Sequence, residues 1–236
     1  MVQLAVADII VLVCVSIGTT IFILFPQLPT ECRFLHHFFA FMLNLGWHPG
    51  CCFLCLIVYS RYITLCGNDK LEVYFSQTKM RIYIISSWLV MGAVYSVQFY
   101  NPEGGSLTRW SPDILSWGND IETGSLGKLL LILTMSQSYI SFAFIGFYNL
   151  RVLFWLHRVR HSATMVDNSY LCKKELQLFL QGLITGTCFM GVIGTYVVLN
   201  IFRPRSYRSI WCYLWLDFTW LINASINPMI YCMLNR

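Results

Sequence analysis

The chain has 236 residues, 57% of them hydrophobic and only 11% charged, with a mean hydropathy of +0.60. A soluble domain carries about 25% charged residues, so these charges are too few to clothe a water-facing surface, and an ordinary soluble domain is excluded. The net charge of +5 is distributed between apolar blocks rather than gathered into one patch, which is the pattern of membrane insertion and not of nucleic-acid binding.

Six apolar segments follow one another. The first runs from about Val2 to Phe25 and ends at FPQLP. It has no basic leader and no small-residue cleavage site, so no cleavable signal peptide is expected. It opens inside an apolar run, as though something upstream were missing. Asp8 interrupts it in LAVADIIVLV. An ionisable group at membrane depth is functional by default; the plainer reading is a polar bridge that only holds helices together.

The second segment runs from about Phe34 to Leu65. Its outer and middle part carries His36, His37, Asn44, Trp47 and His48, and its inner end reads YSRYITL, with Arg61 and Tyr62. His37 and His48 share a face but lie three turns apart, about 16 Å by helix rise, and adjacent His36 and His37 diverge. No metal site is expected.

The third segment, about Ile82 to Phe99, follows SQTKMR and carries Trp88. The stretch from 100 to 126 is acidic, rich in Gly, Pro and Ser, and holds Tyr100, Trp110 and Trp117. It reads as a loop. The fourth segment, about Leu126 to Leu156, contains Tyr148 and is followed by HRVRHS. The fifth, about Leu176 to Phe202, is preceded by KKE, whose last residue is Glu175. The sixth, about Ile210 to Leu234, contains WLINASINPMIY.

Each segment is too long and too uniformly apolar for a barrel strand, so the backbone is satisfied as helix. Ten of the sixteen Lys and Arg side chains fall on one side of this arrangement, among them Arg61, Lys79, Arg151 and Lys174. The positive-inside rule then places the 66–80 and 157–175 loops in the cytoplasm. The 100–126 loop lies outside.

Most of the ten cysteines sit within apolar runs and read as small buried hydrophobes. Cys32 and Cys212, near outer span ends, are the one pair placed for a disulfide. There is no internal repeat and no room for a soluble domain.

The last segment carries Asn223 and Asn227 one helical turn apart, and so on one face. Pro228 removes a backbone donor and favours a bend. If the first and last segments are neighbours, Asp8, Asn223 and Asn227 form one polar cluster, which a hydrated cation or ordered waters could satisfy.

Together these motifs resemble the rhodopsin-like family of G-protein-coupled receptors. NPMIY (Asn227, Pro228, Tyr231) resembles that family's seventh-helix motif. LAVAD, ending in Asp8, resembles its second helix, and SRY (Ser60, Arg61, Tyr62) is similar to its third-helix DRY. Trp88 stands where the fourth helix has its tryptophan, and Tyr148 matches the fifth helix's tyrosine. FSQTKMRIYIISSW, KKELQLFLQGLI and the tail NPMIYCMLNR resemble the nematode serpentine chemoreceptors, of the Srx class.

The resemblance implies an all-α polytopic transmembrane bundle. Six of the seven receptor helices would be present and the first missing, in a single amino-terminally truncated receptor domain over 1–236. It implies a chemoreceptor, not an enzyme, in the plasma membrane and by family habit in sensory-neuron cilia. Its partners would be an extracellular small-molecule or peptide ligand and a heterotrimeric G protein. Asp8, Asn223, Asn227, Pro228 and Tyr231 would be the switch, with a sodium ion near Asp8. Arg61, Tyr62, Tyr148 and Glu175 would face the G protein. His36, His37, Asn44, Trp47 and His48 would line the ligand pocket.

The departures from the family are specific. Ser60 replaces the acidic neighbour of the arginine, so an Arg61–Glu175 pair is the alternative restraint. The sixth helix has no CWxP. The outer loop has no cysteine for the family's disulfide, and Leu221 stands where opsins carry their retinal lysine. Two readings compete with the receptor: a polytopic transporter or channel, for which matching broken helices are missing, and a nonfunctional receptor fragment.

Overall fold

The structure is a computed structural model that describes residues 2–66, 75–99, 108–113, 115–119, 125–161, 169–201 and 210–234. Within these, only the backbone is described at 98, 119, 125–127, 130–131, 159–161, 169–176, 178, 197, 200–201, 227–228 and 230–234.

The first span is α1 (Val2–Val13), a π-helical turn (Cys14–Gly18) and α2 (Thr19–Leu24) in one line. After the short α3 (Leu28–Glu31) come α4 (Arg33–Cys66), α5 (Gln77–Ser96), α6 (Ser125–His161), α7 (Ser169–Ile201) and α8 (Ile210–Leu234). Among the described residues, four spans are long and apolar enough by themselves to cross a membrane: Val2–Leu24, Arg33–Cys66, Ile132–Arg158 and Phe179–Tyr196. The expected segment ends hold to within a few residues in α4 and α8. Helices α6 and α7 run further at their inner ends than apolarity alone suggested.

The side chains explain why these helices bundle rather than stand alone. Val2, Val6, Ile9, Val13 and Ile17 recur at helical spacing and are exposed. Leu4, Ala7, Asp8 and Val11 on the opposite stripe are buried. One face therefore meets lipid and the other meets protein. Helices in lipid gain little from hydrophobic burial and associate through close packing of small residues. Gly46 of α4 is such a residue: a Cβ there would lie 2.9 Å from the Ala7 carbonyl oxygen and 2.9 Å from Val11 Cγ2.

Helix α4 is central. It packs against α1, α5, α6 and α7, while α7 packs on α6 and α8, and α1 on α8. Pro49 lies inside α4 and is buried, yet the helix continues to Cys66; neighbouring helices make such a freed carbonyl tolerable in a membrane. Trp88 ties α5 to the bundle. Its Nε1 donates to Gln3 Oε1 at 3.0 Å, and its ring lies 5.8 Å from that of Phe53.

The outer loop is a correction. Where composition read only as loop, Thr108–Ser111 (β1) and Ser116–Asn119 (β2) form an antiparallel hairpin in which Trp110 pairs with Trp117. Both tryptophans are buried, in one cluster with Phe22, Phe39 and Leu43. Leu115, with φ 49°, supplies the left-handed turn residue.

Candidate functional site

The hairpin is held down by four side chains from three helices. His36 Nε2 accepts from the Trp110 backbone N–H at 3.0 Å. Asn44 Nδ2 donates to Thr108 Oγ1 at 2.8 Å. Ser116 Oγ donates to Asp217 Oδ1 at 2.8 Å, with Ser116 fully buried. Trp117 Nε1 donates to Thr19 Oγ1 at 3.1 Å. Among the described cysteines none forms a disulfide, and these four hydrogen bonds tie the hairpin to the helices.

Beneath this roof is an outer cavity of about 60 Å3. Its walls come from α4, α6, α7, α8 and both strands, with Thr108, Trp117 and Gly118 above and Trp47 below. The Trp47 ring stacks on Phe189 at 5.5 Å and on Trp220 at 5.4 Å, and so joins α4 to α7 and α8.

His48, on the cavity wall, is fixed by Gln137. Its Nδ1 lies 2.9 Å from Gln137 Oε1, while Gln137 Nε2 donates to the His48 carbonyl at 3.1 Å and meets Cys52 Sγ at 3.3 Å. The His48 ring also stacks on Tyr95, with centroids 5.1 Å apart.

Below Trp47 lies a second cavity of about 20 Å3, bordered by Asp8, Asn223, Thr185 and Cys51. One water needs roughly 10–15 Å3, so the space suits a single water or a bare cation. Asp8 is buried, and Asn223 Oδ1 is buried with no hydrogen-bond partner. Carboxylate and amide oxygens are the donor set of a hard cation. Trp47 borders both cavities.

At the inner end Tyr148 fits between two tyrosines of α4, with ring centroids 5.1 Å from Tyr59 and 5.0 Å from Tyr62. Arg61 and Ser60 border an inner cleft of about 180 Å3 with Gln3, Phe75 and Met80. Ser60 Oγ turns back to the Ile57 carbonyl at 2.8 Å.

The structure thus brings Asp8 and Asn223 together, and Asn44, Trp47 and His48 onto the outer cavity. His36 and His37 stand apart from that lining. Their rings do not diverge but meet edge to face at 5.6 Å, and His36 also stacks on Trp117 at 5.9 Å. Cys32 keeps a free thiol, so the Cys32–Cys212 bridge is not made. Among the described residues no three metal-ligating side chains converge.

Helix α8 continues through Asn227 and Pro228. The side chains of Asn227, Pro228, Tyr231 and Glu175 lie outside the described residues, and with them the rest of the switch cluster and the Arg61–Glu175 pair.

Four residues of the site escaped sequence reasoning. Gln137 and Ser138, in TMSQSYISF, are polar at membrane depth and could have been found by that criterion. So could Asp217, in LWLDFTW, which is buried and whose Oδ2 has no partner. Thr108 carried no such signal.

The family model described as serpentine type 7TM GPCR chemoreceptor Srt matches residues 1–236. No curated protein matches the chain. The chain belongs to this family of chemosensory G-protein-coupled receptors, and its class is Srt where the motifs had resembled Srx.

Proposed function

We propose that this serpentine chemoreceptor takes a small-molecule ligand from outside into the hairpin-covered cavity and passes the signal through Trp47 to a G protein at the inner face. The observation that carries this reading is the position of Trp47. One tryptophan borders both the outer cavity and the Asp8–Asn223 cavity, and it stacks on α7 and α8. A ligand that displaces this ring changes the packing of three helices at once. The ligand must bind the two arrangements with different affinity, because only differential binding shifts the populations.

The hairpin above the cavity and the small volume of about 60 Å3 favour a small molecule over a peptide. The polar cavity below holds water or a sodium ion between Asp8 and Asn223, which stabilises one arrangement. Arg61, Tyr62 and Tyr148 present the inner mouth to a heterotrimeric G protein. The protein acts as a receptor and not as an enzyme, in the plasma membrane and, by its chemosensory family, in sensory cilia.

The test is guanine-nucleotide exchange. The chain is expressed in membranes with heterotrimeric G proteins and exposed to a panel of small odorant-like compounds. The reading expects at least one compound to accelerate exchange in the wild type and not in Arg61→Ala. Exchange that no compound changes, or that Arg61→Ala leaves intact, contradicts it.

A further inference from the structure

We infer that the outer cavity selects an uncharged ligand that donates a hydrogen bond, a hydroxyl compound being the best fit. The inference rests on that cavity being the ligand site, and it follows from which atoms of the lining are already engaged.

Gln137 uses its amide nitrogen on the His48 carbonyl and Cys52. Reversing that amide would set its oxygen against the carbonyl oxygen, so Gln137 Oε1 is the atom facing His48 Nδ1. An oxygen there accepts, so Nδ1 carries the proton. In the neutral ring Nε2 is then an acceptor, and it is the ring atom left for a ligand.

Asn44 tells the same story. Its Nδ2 donates to the Ala40 carbonyl at 2.8 Å and to Thr108 Oγ1 at 2.8 Å. Both amide hydrogens are spent, and Oδ1 remains. Ser138 Oγ donates to the Thr134 carbonyl at 3.3 Å, which leaves its lone pairs. Three polar lining residues from two helices thus offer acceptors.

The two indole donors at the ends of the lining differ. Trp117 Nε1 is bonded to Thr19. Trp220 Nε1–H is buried with no partner, so an accepting oxygen on the same ligand would also find use. A hydroxyl both donates and accepts; a carbonyl only accepts.

Charge and size complete the description. Among the described residues no Asp, Glu, Lys or Arg lines the cavity. An ammonium or carboxylate would lose its hydration with no opposite charge to replace it. The other walls are aromatic and aliphatic, which suits an apolar body. At about 60 Å3 the cavity is smaller than the roughly 150 Å3 engineered cavity that holds benzene. A compact ring therefore needs a lining side chain to give way, and the unbranched Met135 is the one most able to adapt.

The test uses four probes on the full chain in lipid nanodiscs: cyclopentanol, cyclopentanone, cyclopentylammonium and cyclopentanecarboxylate. Affinities are read by ligand-observed NMR without G protein, so the result is independent of coupling. Cyclopentanol is expected to bind about tenfold more tightly than cyclopentanone, the scale of one well-placed hydrogen bond, and more tightly still than either ion. His48→Leu and Asn44→Leu should each narrow the alcohol–ketone gap; the probe comparison itself needs no variant, so a misfolded mutant leaves it intact. A ketone or an ion that binds as well as the alcohol overturns the inference, as does a folded protein that binds none of the four. Ligand-stimulated nucleotide exchange in the face of that result would leave the receptor reading standing.

Discussion

Trp47 and Trp220 stack with ring centroids 5.4 Å apart and an interplanar angle of 28°, and the other neighbour of Trp47, Phe189, lies at 5.5 Å. Offset aromatic pairs of this kind contribute about 0.5–1.5 kcal/mol beyond simple burial. The chain lacks the CWxP of the sixth receptor helix, and in the proposed mechanism Trp47 on α4 takes the part of that switch.

Replacing His36 frees the hairpin. His36→Phe leaves the buried Trp110 amide without its acceptor, at a cost of about 1–3 kcal/mol. Hydrogen exchange across 108–119 should quicken while α4 stays protected. Unchanged exchange would assign the roof to its other three tethers.

The α1–α4 contact is close at one glycine and looser at the next. Gly46→Ala drives a methyl to within 2.9 Å of the Ala7 carbonyl and Val11, whereas at Gly50 the nearest atom is Ala7 Cβ at 3.5 Å. Overpacking of this kind costs about 1–3 kcal/mol. Thermal unfolding in detergent should show a lower Tm for Gly46→Ala and almost none of that loss for Gly50→Ala.

Sodium should stabilise the wild type. In NaCl the receptor should melt at a higher temperature than in choline chloride at equal ionic strength. Asp8→Asn, which keeps the shape and removes the charge, should abolish the difference. Equal melting of the wild type in both salts would leave water as the occupant of the Asp8–Asn223 cavity.

The spans were legible because apolar length is a strong signal in a chain with so few charges. Asp8 and Asn223 were legible as partners because each is costly in lipid unless it faces inward. The hairpin was not. Its strands are four residues each, and the loop's Gly, Pro and acidic composition outweighed the Trp110–Trp117 pairing that organises it. His36 looked like a ligand contact because its position on the outer part of α4 was read without knowing what covered it. The place of Trp47 on both cavities depends on how three helices approach, which no local pattern reports.

The most direct test of the account compares binding with signalling in Trp47→Leu. A compound that activates the wild type is titrated against the variant in nanodiscs, and nucleotide exchange on the G protein is measured with the same preparation. The account predicts binding within about tenfold of the wild type, as expected for a contact at the cavity floor that loses one ring, together with exchange that no longer responds to the compound. A variant that binds and still activates its G protein like the wild type would contradict the claim that Trp47 links the two cavities.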